Sequence, residues 1–219
     1  MNKRKLKTRF IWYLIGLFIM TAGIAISVKS NLGVSPVSSI PYTITKITGL
    51  EMGKATIVFH IFLVLLQILL LRSKFKWKNL LQVIVGIVFG YFTTFCNWCV
   101  SFLPDPQNII LRIIMMLISI VLIAIGIFFY MPADIMPLAG EGCMQAVSDV
   151  TGIVFHKVKV MFDITMVVIS LITCLIVLHG LGSVGIGTVL AAVLVGVVLG
   201  IINGRFGEKR DRMLGVQKH

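Results

Sequence analysis

The sequence predicts an all-α integral membrane protein, a single membrane domain over residues 1–219 with about six transmembrane helices and two short, broken or re-entrant helices. Hydrophobic residues make up 58% of the chain and charged residues 13%, against roughly 45–50% and about 25% in soluble domains. The Lys and Arg residues cluster beside long apolar stretches, which is the charge pattern of membrane proteins. This composition excludes a disordered chain and disfavours a water-soluble globule.

Six largely uncharged stretches reach or approach the roughly 20 apolar residues that a spanning helix needs. In chain order they are Phe10–Val28, Ala55–Leu71, Asn79–Leu103, Ile113–Met131, Val160–Leu178 and Gly185–Asn203. The first follows the basic segment Lys3–Arg9 and resembles a signal peptide. Because its apolar run is long and no clear small-residue cleavage site follows, we interpret it as an uncleaved span.

Two further segments, Ser35–Thr48 and Pro137–Thr151, are too short and too polar to cross a membrane. The first contains two prolines and many hydroxyl side chains, and the second contains two carboxylates. Fourteen helical residues reach about 21 Å, which is short of a hydrocarbon core of roughly 30 Å. We therefore expect two short helices that re-enter the membrane without crossing it.

The two halves of the chain match as an internal repeat. A shift of 103 positions superimposes Thr48-Gly49 on Thr151-Gly152 and Lys54 on Lys157, and a shift of 110 superimposes segment 83–90 on segment 193–200. The units cover about 9–103 and 112–204, and a basic tail follows over 205–219. Each unit is predicted to contain one long helix, one short broken segment and two more long helices.

Three spans in each unit would invert the second unit relative to the first. With a cytoplasmic N-terminus, this arrangement places the basic clusters at the N-terminus, at Arg72–Lys78 and at the C-terminus on the cytoplasmic side. If the short segments crossed, the dense Arg72–Lys78 cluster would lie outside. The sequence therefore predicts an inverted repeat with both termini cytoplasmic.

Glycines recur one helical turn apart in the last helix of each unit, at Gly86 and Gly90 and again at Gly196, Gly200 and Gly204. Small residues at this spacing let helices approach closely. Packing inside one chain and a homodimer interface are both compatible with the pattern.

The breaks that follow the first helix of each unit are candidate parts of a substrate site. Irregular backbone at membrane depth is tolerated only inside protein or along a wet cavity, and paired breaks point to a transporter's binding site. Asn31 and Asp134 occupy equivalent positions in the two breaks, as candidate ligands or as capping or surface-loop residues. Hydroxyls predicted to donate hydrogen bonds to the substrate are Ser35, Ser38, Ser39 and Tyr42. Ser35 is also placed to cap the short helix that begins at Pro36.

The second unit carries most of the carboxylates that fall in apolar surroundings, where such groups are costly and usually functional or paired. Glu141 is the leading candidate for substrate binding or proton coupling, because its small neighbours permit a close approach. Asp149 lies eight residues further on and is expected on the same face, or alternatively as a cap before Gly152.

Asp163 and His60 are candidate proton-coupling residues at equivalent positions of the two units. As equivalents in an inverted repeat, they are expected on opposite sides of the membrane midplane and out of direct contact. Asp163 could instead form an ion pair with Lys159, four residues earlier, and His60 could be a structural group in an apolar helix.

No enzyme signature occurs: H-E-x-x-H, G-x-S-x-G, P-loop and G-x-G-x-x-G motifs are absent from the sequence. The histidines are scattered, and the four cysteines lie in or beside apolar stretches, so we expect ordinary buried thiols. The sequence thus predicts no catalytic residues, no cofactor, no metal site and no nucleic-acid partner.

The segment Asn31-Leu-Gly-Val-Ser-Pro36 after the first helix, together with Gly185-Ile-Gly-Thr188 at the start of the last, resembles the YczE/YitT-type bacterial membrane proteins. The likeness covers most of the chain. It implies a multi-pass protein in the lipid bilayer of the bacterial inner (cytoplasmic) membrane and supplies no substrate. The sequence of the second break, Met131–Pro137, differs from that of the first, so the two halves need not have the same function.

These observations predict a small secondary transporter whose halves enclose a site for a small polar or cationic solute or an ion. Three alternatives remain open. The protein could be a channel with two half-helices, similar in layout to aquaporins but without their Asn-Pro-Ala repeat. It could be the substrate-binding membrane subunit of a larger transporter, or a non-transporting scaffold or regulatory protein whose tail binds a partner or anionic lipid.

Overall fold

The computed structural model describes residues 3–215, which fold into eight α-helices joined by short loops and three 3₁₀ turns. The predicted basic tail is therefore described as far as residue 215, and residues 216–219 lie outside the described part. The helices are α1 Lys3–Ser30, α2 Pro36–Thr48, α3 Met52–Leu71, α4 Leu81–Ser101, α5 Ile109–Tyr130, α6 Ala139–Thr151, α7 Phe155–Leu178 and α8 Ile186–Leu214.

Six of these helices are long and apolar enough to cross a membrane, which confirms the predicted all-α multi-spanning class. The last span differs most from its predicted limits, because α8 continues beyond Asn203 to Leu214. Side-chain hydrogen bonds hold this extension against the rest of the fold. Arg9 Nε donates to the Leu214 carbonyl at 3.0 Å, and Arg210 donates to the Phe128 carbonyl at 3.3 Å. The beginning of α1 and the end of α8 therefore lie at the same face.

The two short segments form helices α2 and α6, of 13 residues each. Pro36 occupies the first turn of α2, where its missing N–H costs nothing. Ser35 stands at the N-cap position, but its hydroxyl donates to Ser38 Oγ at 3.0 Å and does not cap the helix. Each short helix ends at a left-handed glycine, Gly49 or Gly152.

Helices α1 and α5 form the central pair and run antiparallel. Trp12 stacks on Phe129 near one end, with ring centroids 4.6 Å apart, and Gly16 crosses Gly126 further along. A Cβ atom on Gly126 would lie 2.7 Å from the Gly16 carbonyl oxygen, so the backbones meet too closely for a larger residue. The crossing fixes α1 against α5 at the centre of the molecule.

The other helices pack around this pair in a matching way in the two halves. Helix α4 packs on α1 and α8 on α5, while α2 lies along α7 and α6 along α3. The short helix of each half thus contacts the third helix of the other half. One contact lacks a counterpart, because α3 packs closely on α4 whereas α7 and α8 form no comparable interface in the described chain.

Left-handed backbone conformations also recur at matching places. Asn31 and Asp134 have φ of 52° and 50°, and Gly49 and Gly152 have φ of 71° and 73°. The ends of α3 and α7 differ, because Arg72 has φ of 47° with ψ of −117° whereas His179 is left-handed, with φ of 53° and ψ of 33°. Local chain geometry is therefore similar in the two halves at the breaks and at the ends of the short helices, and it differs after the third helix of each half.

Three of the four cysteines are buried, namely Cys96, Cys143 and Cys174. The expectation of a buried thiol is wrong for Cys99, which is exposed. Its neighbour Trp98 is also exposed on the outward surface of α4, where apolar side chains face lipid in a membrane protein.

Candidate functional site

A cavity of about 230 Å³ lies between the two halves. The beginnings of both short helices line it, together with the middle of α1, α4 and α8, the first turns of α3 and α7, and the later part of α5. Most of the wall is apolar, with Met20, Phe59 and Phe89 among the larger side chains. The polar side chains on the wall are Ser35, Ser38, Thr56, His60, Thr93, Glu141, Lys159 and Asp163.

The structure brings five of the predicted site residues to this cavity. Two lie on α2 or its N-cap, one on α6, one on α3 and one on α7. They are Ser35, Ser38, Glu141, His60 and Asp163. His60 and Asp163 both line this cavity, and their predicted positions on opposite sides of the membrane midplane stay a prediction.

The other predicted residues lie elsewhere. Asn31 and Asp134 are exposed in the left-handed turns that end the helices before each break, which matches the alternative of surface-loop residues. Asp149 is also exposed and accepts a hydrogen bond from Gln145 Nε2 at 2.7 Å. Eight helical residues turn the direction of a side chain by about 80°, so the expectation that Asp149 shares the face of Glu141 is wrong.

Ser39 and Tyr42 are buried in helix packing and do not line the cavity. The Ser39 hydroxyl accepts from Ser170 Oγ at 2.8 Å and donates to the Pro36 carbonyl, which fastens α2 to α7. The ring of Tyr42 belongs to the main apolar core. These two residues hold the short helix in place.

Glu141 stands in the first turn of α6, where the helix dipole favours a carboxylate. Tyr130 Oη donates to Glu141 Oε2 at 3.3 Å and accepts from the backbone N–H of Leu138. Tyr13 Oη donates to the Met136 carbonyl at 2.8 Å, so two tyrosines hold the break that leads into α6. Burial raises the pKa of the Glu141 carboxyl above its ordinary value, which makes proton uptake easier.

His60 lies opposite, on α3, with 4% of its surface exposed. Its ring stacks on Phe89 with centroids 5.6 Å apart, and its Nδ1 has no hydrogen-bond partner among the described residues. A Cβ atom placed on Gly86 would lie 2.8 Å from that nitrogen. His60 is therefore held tightly between α3 and α4.

Asp163 forms the ion pair that its spacing allows, with Lys159 Nζ 3.0 Å from Asp163 Oδ2. The lysine side chain is 53% exposed and the aspartate 19%. Asp163 Oδ1 is buried without a hydrogen-bond partner in the described part of the chain. The cavity thus contains one carboxylate paired with a lysine and a second, Glu141, that forms no ion pair with any described residue.

Backbone hydrogen bonds join the first break to the loop before α8 and to the first turn of that helix. Val34 N–H donates to the Ser183 carbonyl at 3.3 Å, and Gly187 N–H donates to the Leu32 carbonyl at 2.8 Å. Gly33 has φ of 104° and leaves no room for a side chain beside Thr188. The two segments that carry the sequence resemblance, 31–36 and 185–188, are therefore in contact with each other.

Sequence reasoning missed the polar residues that position α6. Gln67 Nε2 donates to Gln82 Oε1 at 2.8 Å and to the Ala139 carbonyl at 3.2 Å, at the beginning of α6. Both amides are buried inside apolar helices, and a polar residue in such a place is a signal that could have identified them. The contact of Tyr130 with Glu141 has no comparable signal in the sequence.

The arrangement defines what the cavity can bind. An unpaired carboxylate attracts a cationic group or a proton. The starts of two short helices and the hydroxyls of Ser35 and Ser38 offer hydrogen bonds to a polar or anionic group. Over residues 3–215, no group of three or more His, Cys, Asp and Glu side chains is placed to hold a metal ion.

Comparisons with known proteins match almost the whole chain. The profile of a family of unknown function, DUF6198, matches residues 7–204. The chain is 26% identical over 199 residues to the uncharacterized membrane protein YczE of Bacillus subtilis (strain 168), covering 90% of this chain and 86% of that protein. It is 24% identical over 191 residues to the uncharacterized protein YyaS of the same organism, covering 87% and 90%. No solved structure matches. The resemblance to YczE-type membrane proteins is confirmed.

Proposed function

This chain belongs to DUF6198, a family of unknown function, and we propose that it is a small secondary transporter that moves a small polar or cationic solute across the bacterial inner membrane by alternating access. The observation that carries the proposal is the cavity between the two halves, which contains the unpaired carboxylate of Glu141. Secondary transporters bind their substrates near the membrane midplane, between repeats, at helices that are broken there.

An inverted repeat is part of this proposal. The antiparallel contact of α1 with α5 supports it, because equivalent first helices of inverted units run in opposite directions. Gly16 meets Gly126, and the positions 103 residues away from these, Ser119 and Gly23, also meet: a Cβ atom on Gly23 would lie 3.0 Å from the Ser119 carbonyl oxygen. This pairing is what a two-fold axis between α1 and α5 produces.

Both termini are proposed to lie in the cytoplasm. The hydrogen bonds from Arg9 to the Leu214 and Gly215 carbonyls support a common face for them. The basic cluster Arg72–Lys78 would lie on the same side, because α3 returns the chain to that side and α4 begins there. A basic cytoplasmic face is the usual arrangement in membrane proteins.

In this proposal Glu141 binds the cationic part of the solute or exchanges it for a coupling proton. Ser35 and Ser38 supply hydrogen bonds from the other half. Asp163 and His60 are the further groups on the wall that could bind or transfer a proton. The apolar wall around Met20 and Phe89 would accommodate the carbon skeleton of the solute.

Flux through purified protein in liposomes tests the proposal. The probes are choline, ethanolamine and putrescine, with a pH-sensitive dye inside the vesicles to detect coupled proton movement. We expect saturable uptake of at least one probe by the natural protein. Glu141→Gln should reduce this uptake at least tenfold without lowering the melting temperature, because the isosteric amide keeps the hydrogen bond but loses the charge.

Asp149→Asn is the matched control, since it removes a carboxylate from the exposed face of the same helix. Its uptake should equal that of the natural protein. Equal uptake by Glu141→Gln and the natural protein would overturn the assigned role of the carboxylate. Flux that does not saturate would favour a channel. Absence of uptake for every probe, in liposomes that contain folded protein, would count against transport of small cations.

A further inference from the structure

The interface of α3 with α4 is closed and glycine-lined. A Cβ atom on Gly86 would lie 2.8 Å from the Cβ of His60, and one on Gly90 would lie against Ile57 and 2.8 Å from the Gly53 carbonyl oxygen. One turn further, Gly53 lies directly against Thr94. Three successive turns of the two antiparallel helices thus meet with no space between them.

The equivalent face of α8 is open. Gly196, Gly200 and Gly204 have no atom within 4 Å of the position that a Cβ would occupy. Helix α7 stands apart from this face, and the gap between α7 and α8 is continuous with the cavity. Asp163 on α7 and Gly196 on α8 both line it.

The repeat specifies which residues of α7 correspond to the three turns of α3. The shifts of 103 and 110 positions convert the pair His60 and Gly86 into Asp163 and Gly196, and the pair Ile57 and Gly90 into Val160 and Gly200. From the first pair to the second, the partners step back one turn along α7 and forward one turn along α8. Two antiparallel helices can therefore form both contacts at the same time.

The third pair shows an exchange of sizes. In the closed interface, α3 contributes the small residue Gly53 and α4 the larger Thr94. The corresponding positions have His156 on α7 and Gly204 on α8. A larger residue on one helix is matched by a smaller one on the other, which is the change that keeps two faces complementary.

We infer that α8 closes against α7 in the register that α4 already has against α3, with Gly196, Gly200 and Gly204 receiving Asp163, Val160 and His156. The inference rests on the proposed function, in which this movement seals the cavity at the face that carries the chain termini. Lys159 lies in the second turn of α7, so the opening is at the beginning of that helix. The structure is then the state that is open toward this face.

A chemical difference explains why one interface is closed and the other open. His60 can be buried as a neutral ring, stacked on Phe89. Its counterpart Asp163 carries a carboxylate, which is costly to bury unless its charge is balanced. Lys159 is the cation already bound to it. Closure therefore requires that Lys159 stay on Asp163, or that a proton or a bound cation take its place.

Cysteine cross-linking of the full-length protein in liposomes tests the closure. The natural cysteines are replaced by serine, and Val160→Cys is combined with Gly200→Cys. The matched control combines Val160→Cys with Ile201→Cys, one residue further along α8 on its exposed surface. The positive control combines Ser39→Cys with Ser170→Cys, whose hydroxyl oxygens lie 2.8 Å apart in the structure.

With a copper–phenanthroline oxidant and no added solute, the Val160/Gly200 pair should form a disulfide at least fivefold faster than the Val160/Ile201 pair. Equal rates for these two pairs, with efficient cross-linking of Ser39/Ser170, would overturn the closure. If the cysteine-free chain loses its melting transition, the same pairs are placed in the natural chain and the cross-linked peptides are identified by mass spectrometry.

The result is independent of the transport assay. Cross-linking of Val160/Gly200 in a protein that moves no probe supports the closure and contradicts only the proposed transport. Uptake of a probe without this cross-link contradicts the closure and leaves transport standing. In a protein that does both, the disulfide should stop uptake and dithiothreitol should restore it.

Discussion

The interface of α3 with α4 and the gap between α7 and α8 are the most informative comparison within this molecule. Both pairs of helices occupy corresponding places in the two halves, and both carry glycines one turn apart. The first pair is closed around His60 and Phe89. The second is open beside Asp163 and Lys159.

The helices are closely packed where the interface has no charged side chain, and they stand apart where charged side chains lie beside them. The charged side chains on the cavity wall, Glu141, Lys159 and Asp163, all come from the second half. The first half contributes apolar side chains, hydroxyls and one histidine. A rigid first half and a charged, less packed second half would suit a protein in which one half moves against the other.

Exchange of the two equivalent residues should produce the largest effect. His60→Asp places a carboxylate without a cation in the closed interface, and we expect a loss of about 3 kcal/mol or more of stability. Asp163→His should change stability by less than about 1 kcal/mol, because the gap accommodates the ring. Thermal unfolding in detergent measures both. Similar losses for the two variants would show that the interfaces do not differ as described.

The glycines should respond in the same unequal way, with a smaller effect. Gly86→Leu inserts atoms where a Cβ alone would already lie 2.8 Å from His60, which should cost about 1–3 kcal/mol. Gly196→Leu enters open space and should leave the melting temperature unchanged. It should also slow the cross-linking of Val160→Cys with Gly200→Cys, because the added side chain obstructs closure. A marked loss of stability for Gly196→Leu would indicate that its face is already packed.

Lys159→Gln tests how much the positive charge of Lys159 contributes to closure of the gap between α7 and α8. The lysine is half exposed, so its loss should alter stability by no more than about 1 kcal/mol. Without its cation Asp163 is harder to bury, and cross-linking across the gap should slow by about two- to fivefold. Lys157→Gln, an exposed lysine outside the cavity, is the control. An unchanged rate for Lys159→Gln would remove Lys159 from the account of closure.

The smallest effect is expected outside the compared pairs, in the loop that joins the two halves. Lys29 Nζ lies 2.6 Å from Asp105 Oδ1, and this hydrogen bond lowers the pKa of the Asp105 carboxyl. A lowered pKa stabilises the fold above the ordinary value of about 3.9 and ceases to do so as the pH falls through the lowered value. Asp105→Asn should therefore melt slightly below the natural protein at pH 7, and this difference should shrink as the pH falls below about 4. A difference that grows in acid would contradict the assignment.

Much of the fold was predictable because length and hydropathy alone identify spanning helices. Pro36 and the hydroxyls around it also predicted a short helix correctly. The pairing of α2 with α7 was not predictable, since an apolar helix carries no clear signal for which face meets protein and which meets lipid. The end of α8 was not predictable, because its composition indicates only a basic tail. The contact of Arg210 with Phe128, which holds this segment against α5, depends on the tertiary fold.

The candidate site was predicted in part for a similar reason. Glu141, Asp163 and His60 were found because charged or titratable groups in apolar surroundings stand out. Asn31 and Asp134 stand at equivalent positions, but equivalence marks a repeated turn as readily as a repeated site. The hydrogen bond from Tyr130 to Glu141 depends on how the break folds back, which local sequence does not specify.

The central claim is that two inverted halves, each with three spans and one short helix that does not cross, enclose the cavity. Single cysteines at Ser73, after α3, and at Gly180, after α7, test it most directly with a maleimide that cannot cross the membrane. In intact cells, Gly180→Cys should be labelled from outside and Ser73→Cys only after the cytoplasmic side is opened. Labelling of Ser73→Cys from outside would mean that the first short helix crosses the membrane, and the inverted arrangement would be wrong.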